Sequence, residues 1–144
     1  MNFHEWLEGS WAMVFSHPAD YTPVCTTELA EVARCSGEFK KRGVKVAALS
    51  CDSVESHKGW IKDVEAFGNV TVDYPIIADE DRKVAKAMNM LPVSGFFDDP
   101  KSGMPKTVRS VFLFDNKKLL RMTLTYPPSC GRNFVEILRV IDSV

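Results

Sequence analysis

The chain has 144 residues, of which 45% are hydrophobic and 26% charged, enough for one domain spanning 1–144 with a real core and not for two. A formal net charge of −1 gives no electrostatic case for nucleic acid or an anionic membrane surface as partner. The apolar runs fall far short of the roughly 20 residues a membrane span needs, and the start MNFHEWLEGSW lacks the basic residues and apolar run of a signal peptide, so a cytoplasmic location with reduced thiols is expected.

Trp11 to Ser16, WAMVFS, is a short apolar run that stops at His17-Pro18 and reads as a buried strand. Thr26 to Lys41 reads as a helix, with Leu29, Val32, Ser36 and Phe39 on one face and Gly43 punctuating its end. Val44 to Ser50, VKVAALS, is a second buried strand. Ser53 to Val64 reads as a helix capped by Asp52 or Ser53, with Val54, Trp60, Ile61 and Val64 as its apolar contacts. YPIIAD is a short strand. DEDRKVAKAMNML is a helix with Val84, Ala87, Met88 and Leu91 inward. PVSGFFDDPKSGMP, rich in Pro and Gly, is expected to be a mobile loop. SVFLFDNKKLLRMTLTY reads as a hairpin turning near Asp115-Asn116. Asn133 to Val144 is the last helix, with Phe134, Ile137, Leu138 and Ile141 buried and a capping box between Asn133 and Glu136. The order describes an α/β fold, a mixed sheet with helices on both faces, parallel at first and closed by an antiparallel hairpin, as suits a thioredoxin-like fold.

The cysteines stand at 25, 35, 51 and 130. No pair is spaced C-x-x-C, which argues against a zinc ribbon and against a thioredoxin-type redox pair. Cys35 and Cys51 sit in core-like segments and read as small buried hydrophobes. Cys25 is different. It lies between the first strand and the first helix, at the carboxyl end of a strand, where sites form in such sheets. It also falls at or within the helix's first turn, where unpaired N–H groups and the dipole favour a thiolate. Pro23 suits the helix start, Thr22 lies three residues before the sulfur and Glu28 three after it.

The string Pro18-Ala19-Asp20-Tyr21-Thr22-Pro23-Val24-Cys25 resembles the active-site signature P-x-x-x-T-x-x-C of peroxiredoxins. The fuller FSHPADYTPVCTTEL is similar to that of the one-cysteine subfamily. The likeness continues in order through SCDSVESHKGWIKDVEAF, YPIIAD, VRSVFLFDNKK and YPPSCGRNFVEILRVIDS. The resemblance implies a thiol peroxidase for hydrogen peroxide and organic hydroperoxides, with Cys25 as the nucleophile that becomes a sulfenic acid. It also implies Thr22 and Arg109 as donors to the reacting atoms, Pro18 as a shield against water, Glu28 and Arg132 as the groups orienting Arg109, and His17 close to the thiol. It implies no cofactor, and the cysteine spacing and expected compartment argue against a metal. Reduction would come from an external thiol such as glutathione or thioredoxin, since no resolving Val-Cys-Pro is present. Cys130, in YPPSCGRN, is expected near the active-site end without being the resolving thiol.

Two features depart from the family pattern. Members of this class have strands ahead of the region that begins here at Met1 and an extension beyond the last helix. The chain is therefore expected to be a shortened member, whose exposed edges weaken an otherwise expected homodimer. Some animal members carry a phospholipase activity tied to Gly-x-Ser-x-Gly. Here EGSWA keeps Ser10, with His4 nearby, but has Glu8 and Ala12 at the glycine positions, so the strained serine turn is not encoded. The alternative function is an inactive or redox-sensing binding or chaperone protein on a thioredoxin-like scaffold.

Overall fold

The strands expected at Trp11–Ser16 (β1) and Val44–Ser50 (β2) form with those bounds in the computed structural model, which describes residues 2–92 and 104–144. They pair in parallel, Trp11 opposite Val44 through Ser16 opposite Leu49. β2 pairs in parallel with the short β3 (Ile76–Ala78). On the other side β1 pairs antiparallel with β4 (Arg109–Phe114), which makes a hairpin with β5 (Leu120–Tyr126). The sheet order is β3-β2-β1-β4-β5, the mixed thioredoxin-like sheet that the sequence predicts.

Side chains alternate across the sheet, as the pleat requires. Met13, Phe15, Val111 and Leu113 face one core, and Val14, Leu49 and Phe112 face the other. The larger core packs against α2 (Pro23–Arg34), α3 (Ser36–Lys41), α4 (Val54–Gly68) and α6 (Phe134–Ser143). The smaller one packs against Ala85 of α5 (Lys83–Ala87) and is flanked by Phe3 and Trp6 of a one-turn helix, α1 (Phe3–Trp6), which no sequence pattern announced. No helix among the described residues is long and apolar enough to cross a membrane.

Several expectations shift. The first long helix begins earlier, at Pro23, with Thr22 as its N-cap, and breaks at Cys35, which ends α2 and starts α3. The break turns Ser36 out of the buried face, and its hydroxyl donates to Asp73 at 2.7 Å. In α4, Ser53 is the cap, accepting from Ser56 N at 3.1 Å. Val54 is exposed there, and His57 takes a buried place beside Trp60 and Val64. The helix after β3 is shorter than predicted and turned differently. Arg82 adopts a left-handed φ of 60°, and the Asp79 carboxylate accepts from Val84 N and Ala85 N. That start buries Ala85 and leaves Val84 exposed. At α6, Asn133 Oδ1 accepts from Val135 N and Glu136 N, but Glu136 pairs with Arg139 instead of closing a capping box. Most of the loop expected over 92–105 lies outside the described residues.

α2 and α4, the two helices that frame the site, approach closely near their far ends. A Cβ added at Gly68 would lie 2.8 Å from Ala30 Cβ and 3.1 Å from Val70 Cγ2. Neither neighbour is the tip of a flexible side chain. Gly68→Ala is therefore expected to destabilise the protein by about 1–3 kcal/mol through overpacking, although Gly-to-Ala in a helix ordinarily stabilises. The midpoint of urea unfolding reads this directly; an unchanged or raised midpoint would contradict the close approach.

Candidate active site

The loop from His17 to Thr22 leaves the carboxyl end of β1 and enters α2. Pro23 is the first helical residue, so its missing N–H costs nothing, and Cys25 is the third. The sulfur sits in the first turn, where backbone N–H groups lack partners four residues back. Cys25 is fully buried.

Arg109 reaches it from the first residue of β4. Its placement is over-determined. Ser16 Oγ donates to Val108 O at 2.6 Å and accepts from Ser110 N at 3.0 Å, clasping the backbone on both sides of Arg109. The guanidinium then divides its donors. Nε donates to Pro128 O at 2.7 Å, and Nη1 donates both to Cys25 Sγ at 3.2 Å and to Glu28 Oε1. Glu28 lies one turn after Cys25 on the same face of α2.

Glu28 also holds Arg132. Its Oε2 accepts from Arg132 N at 2.7 Å and Nε at 2.8 Å, and its Oε1 from Nη2 at 3.1 Å. Arg132 Nη1 donates to Ser110 O at 2.7 Å. The Arg132 guanidinium lies over the rings of Phe15 and Phe134, 5.3 and 5.6 Å from their centroids. Burial raises the pKa of the Glu28 carboxyl, but the hydrogen bonds and charge of Arg132, with the charge of Arg109, outweigh it and hold the group below the usual carboxylate range. The three side chains are buried. Two guanidinium charges against one carboxylate leave a net positive unit against the sulfur. Charge developing on sulfur, or on an oxygen beside it, is met by a preformed donor that needs no reorganisation.

The segment Pro127 to Arg132 closes over the head of α2, as expected for the loop before the last helix. Pro128 anchors Arg109, Arg132 anchors Glu28, and Gly131 comes so near Val24 that a Cβ there would lie 3.2 Å from Val24 Cγ1. Cys130 in that segment is exposed, and its N–H donates to Pro127 O.

Thr22 Oγ1 donates to Ala19 O at 2.9 Å, so its proton is engaged within the loop; acting as a donor to substrate would require the hydroxyl to rotate. Its carbonyl accepts from Thr26 N at 2.9 Å and Thr26 Oγ1 at 2.7 Å. Pro18 is half-buried at the loop's start. His17 is fully buried; its ring packs against Trp60, centroids 5.0 Å apart, and Nε2 bonds Asp20 Oδ1 at 2.8 Å. Asp20 and His57 join this site without having been singled out by sequence. Asp20 stands inside the signature string, but its partner His57 lies 37 residues away, and no local spacing announces such a pair.

One group of possible metal ligands occurs among the described residues. His17, Asp20 and Asp52 bring ligand atoms within 4.8 Å of one another. His17 Nε2, Asp20 Oδ1 and Asp52 Oδ2 are already engaged in hydrogen bonds within the protein. Asp20 Oδ1 accepts from His17, and Asp52 Oδ2 accepts from Asp20 N at 2.9 Å and Ser50 Oγ at 2.7 Å.

A mixed sheet thus carries a single buried cysteine in the first turn of α2, faced by an arginine from the neighbouring strand β4. Residues 2–123 match the AhpC/TSA family model, and the chain belongs to the AhpC/TSA family. Within it the chain is similar to one-cysteine peroxiredoxins. It is 49% identical over 148 aligned positions to peroxiredoxin-6 of Gallus gallus, covering all of this chain and 65% of that protein. A serine mutant of peroxiredoxin 6 of Arenicola marina superposes with a TM-score of 0.93 at 50% identity, over 99% of this chain and 64% of that one. The yeast mitochondrial 1-Cys peroxiredoxin gives a TM-score of 0.88 at 48% identity, over 99% of this chain and 67% of that one. The chain thus spans a little under two-thirds of the length of the peroxiredoxin-6 proteins it matches.

Proposed function

We propose that the chain is a thiol-dependent peroxidase that reduces hydrogen peroxide and organic hydroperoxides through Cys25. The observation that carries this reading is the Arg109 Nη1 contact on Cys25 Sγ at 3.2 Å, made by a guanidinium that Glu28 and Pro128 hold in place. Cys25, as thiolate, attacks one peroxide oxygen. The S–O bond forms as the O–O bond breaks, sulfur is oxidised to the sulfenic acid, and the departing alkoxide or hydroxide takes up a proton. Arg109, the first-turn N–H groups and a rotated Thr22 hydroxyl are the proposed donors to the charge that shifts from sulfur to oxygen. Pro18 screens the sulfur from water, His17 lines the site, and Glu28 and Arg132 orient Arg109.

An external thiol then attacks the sulfenic sulfur, releasing water and leaving a mixed disulfide, and a second thiol releases Cys25. The yeast relative is described as resolved through glutathione and thioredoxin systems, which supports reductants of that kind here. We place the activity in the cytoplasm, in a homodimer; β5 is an edge strand of the sheet among the described residues and alternates in exposure, which supports pairing along that edge.

The test mixes the protein with stoichiometric hydrogen peroxide and follows intact mass and thiol content beside Cys25→Ser. The expected result is rapid addition of one oxygen at Cys25 alone, absent in the variant. Loss of two hydrogens, with peptide mapping that joins Cys25 to Cys130, would instead mark an internal disulfide and overturn the external reductant. Oxidation no faster than that of an ordinary thiol, or equal at Cys35, Cys51 and Cys130, would leave the inactive, binding or sensing reading in its place.

A further inference from the structure

A second buried charged unit adjoins the first turn of α2; of its members the peroxide chemistry as proposed uses only His17, as lining, and leaves Asp20 and His57 without a role. Asp20 is buried, and its carboxylate bridges two imidazoles. Oδ1 bonds His17 Nε2 at 2.8 Å; Oδ2 bonds His57 Nδ1 at 2.6 Å and accepts from Ser56 Oγ at 2.8 Å. The second nitrogen of each ring decides its protonation. His57 Nε2 faces Ile77 O at 3.2 Å, so both its nitrogens meet acceptors and only the doubly protonated ring satisfies both. His17 Nδ1 is buried with no hydrogen-bond partner among the described residues. A proton placed there would be an unpaired buried N–H, so the neutral ring carrying its proton on Nε2 is the satisfied form.

The electrostatics agree with the geometry. Burial, opposed by Asp20, keeps His17 below the ordinary histidine range. Burial disfavours charge on His57 too, but the hydrogen bond and charge of Asp20, the Ile77 carbonyl and Asp52 raise it above that range. Burial opposes charge on Asp20, and the bonds from His17 and His57 overcome this and keep it ionised. The unit is also mechanically tied to the candidate site. Asp20 N donates to Asp52 Oδ2 at 2.9 Å. His17 packs on Trp60, whose Nε1 donates to Thr26 Oγ1 at 3.1 Å, and Thr26 in turn bonds the Thr22 carbonyl.

We propose that Asp20 is a positioning residue of the peroxide site: bridging His17 and an imidazolium His57, it holds His17 as the Nε2–H tautomer with a bare Nδ1 and pins the loop carrying Pro18 and Thr22 to α4. What Asp20 positions rests on the peroxidase reading; the states of the two histidines do not. A bare buried ring nitrogen is an acceptor for an O–H or S–H donor. Asparagine at position 20 offers one acceptor and one N–H2 group, so it cannot accept from both rings at once.

The chain has three histidines, few enough for nitrogen NMR of the intact, histidine-labelled protein to follow each ring from about pH 5 to pH 9. The wild type is expected to show His17 in its neutral Nε2–H form below the ordinary histidine range, and His57 doubly protonated above it. Asp20→Asn is expected to bring His57 down to or below that range and to release the His17 tautomer. It should also slow Cys25 oxidation by stoichiometric peroxide about tenfold or more, the scale on which misplacement of groups around a reacting centre acts. His57→Gln keeps a neutral donor to Asp20 but removes the countercharge, so His17 should then gain its proton at higher pH. A wild-type His17 protonated on Nδ1, an unmoved His17 titration in His57→Gln, or an Asp20→Asn protein with unchanged spectra and rate would each overturn the proposal. A merely structural Asp20 would lower stability with the tautomer intact, which also overturns it. Expected spectra with slow wild-type oxidation would overturn the peroxidase reading and Asp20's positioning role, leaving the histidine states standing.

Discussion

Arg109→Met is expected to lower the second-order rate of Cys25 oxidation by hydrogen peroxide by about 10²–10³-fold, the usual loss when one preorganised donor to developing charge is removed. The variant should stay folded. Glu28 keeps three bonds from Arg132, through N, Nε and Nη2, so deleting Arg109 leaves a matched buried pair rather than a stranded carboxylate. Arg109→Lys should recover little. The wild-type side chain uses Nε on Pro128 O and Nη1 on both Cys25 and Glu28, and a single ammonium cannot reproduce that planar fork. Stopped-flow tryptophan fluorescence or quenched mass measurements give the rate, and circular dichroism checks the fold. A loss of less than about threefold in Arg109→Met would remove the observation on which the proposed function stands, since the effect asked of this donor is some 3–4 kcal/mol.

The frame that carries Arg109 and Cys25 is legible in the sequence wherever short apolar runs end at strong punctuation. WAMVFS stops at His17-Pro18 and VKVAALS starts after Gly43, and both strands have the expected bounds. Helix interiors are less transparent. Leu29, Val32, Ser36 and Phe39 keep helical spacing straight through Cys35, so nothing in their periodicity announces the break between α2 and α3. In α5 the deciding feature is a side chain capping from outside the helix. Asp79 takes the Val84 and Ala85 N–H groups and Arg82 turns left-handed, which rotates the buried stripe away from the one that spacing suggests.

At the site, position alone singles out Cys25 and its prolyl helix start. Arg109 and Arg132 carry no local signal, and only the family resemblance points to them. Their geometry nonetheless has a plain physical cause, a single carboxylate on α2 shared by arginines from a strand and from a loop. Asp20 and His57 escaped because a bridge between a loop and the first turn of a distant helix leaves no spacing to read. Their connection is a side-chain bond between residues 37 apart, made because each buried polar group needs a partner.

The shared carboxylate is where stability and chemistry meet. Glu28→Gln is expected to destabilise the protein by about 3–5 kcal/mol, the cost of leaving buried charges uncompensated. Four donors, one from Arg109 and three from Arg132, converge on Glu28. Glutamine presents one acceptor oxygen, and its N–H2 would point at guanidinium groups that have nothing to give it. Against a total of roughly 5–15 kcal/mol for a small domain, that is a large fraction, and the midpoint of urea unfolding at neutral pH should fall accordingly. The pH dependence supplies an independent reading of the same bonds. Because the folded-state pKa of Glu28 is depressed, its contribution is fully present above the unfolded carboxylate pKa and is lost as pH falls through the folded value. The wild type should therefore lose stability in acid more steeply than Glu28→Gln, and the two curves should converge at low pH. Parallel curves would mean that Glu28 is not held ionised by the arginines. A double-mutant cycle completes the argument. Glu28→Gln with Arg132→Met removes both members of the most heavily bonded pair, and its cost should fall short of the sum of the single variants. Additivity would show that Arg132 is anchored by Phe15, Phe134 and the Ser110 carbonyl alone, and that Glu28 serves only to aim Arg109 at the sulfur.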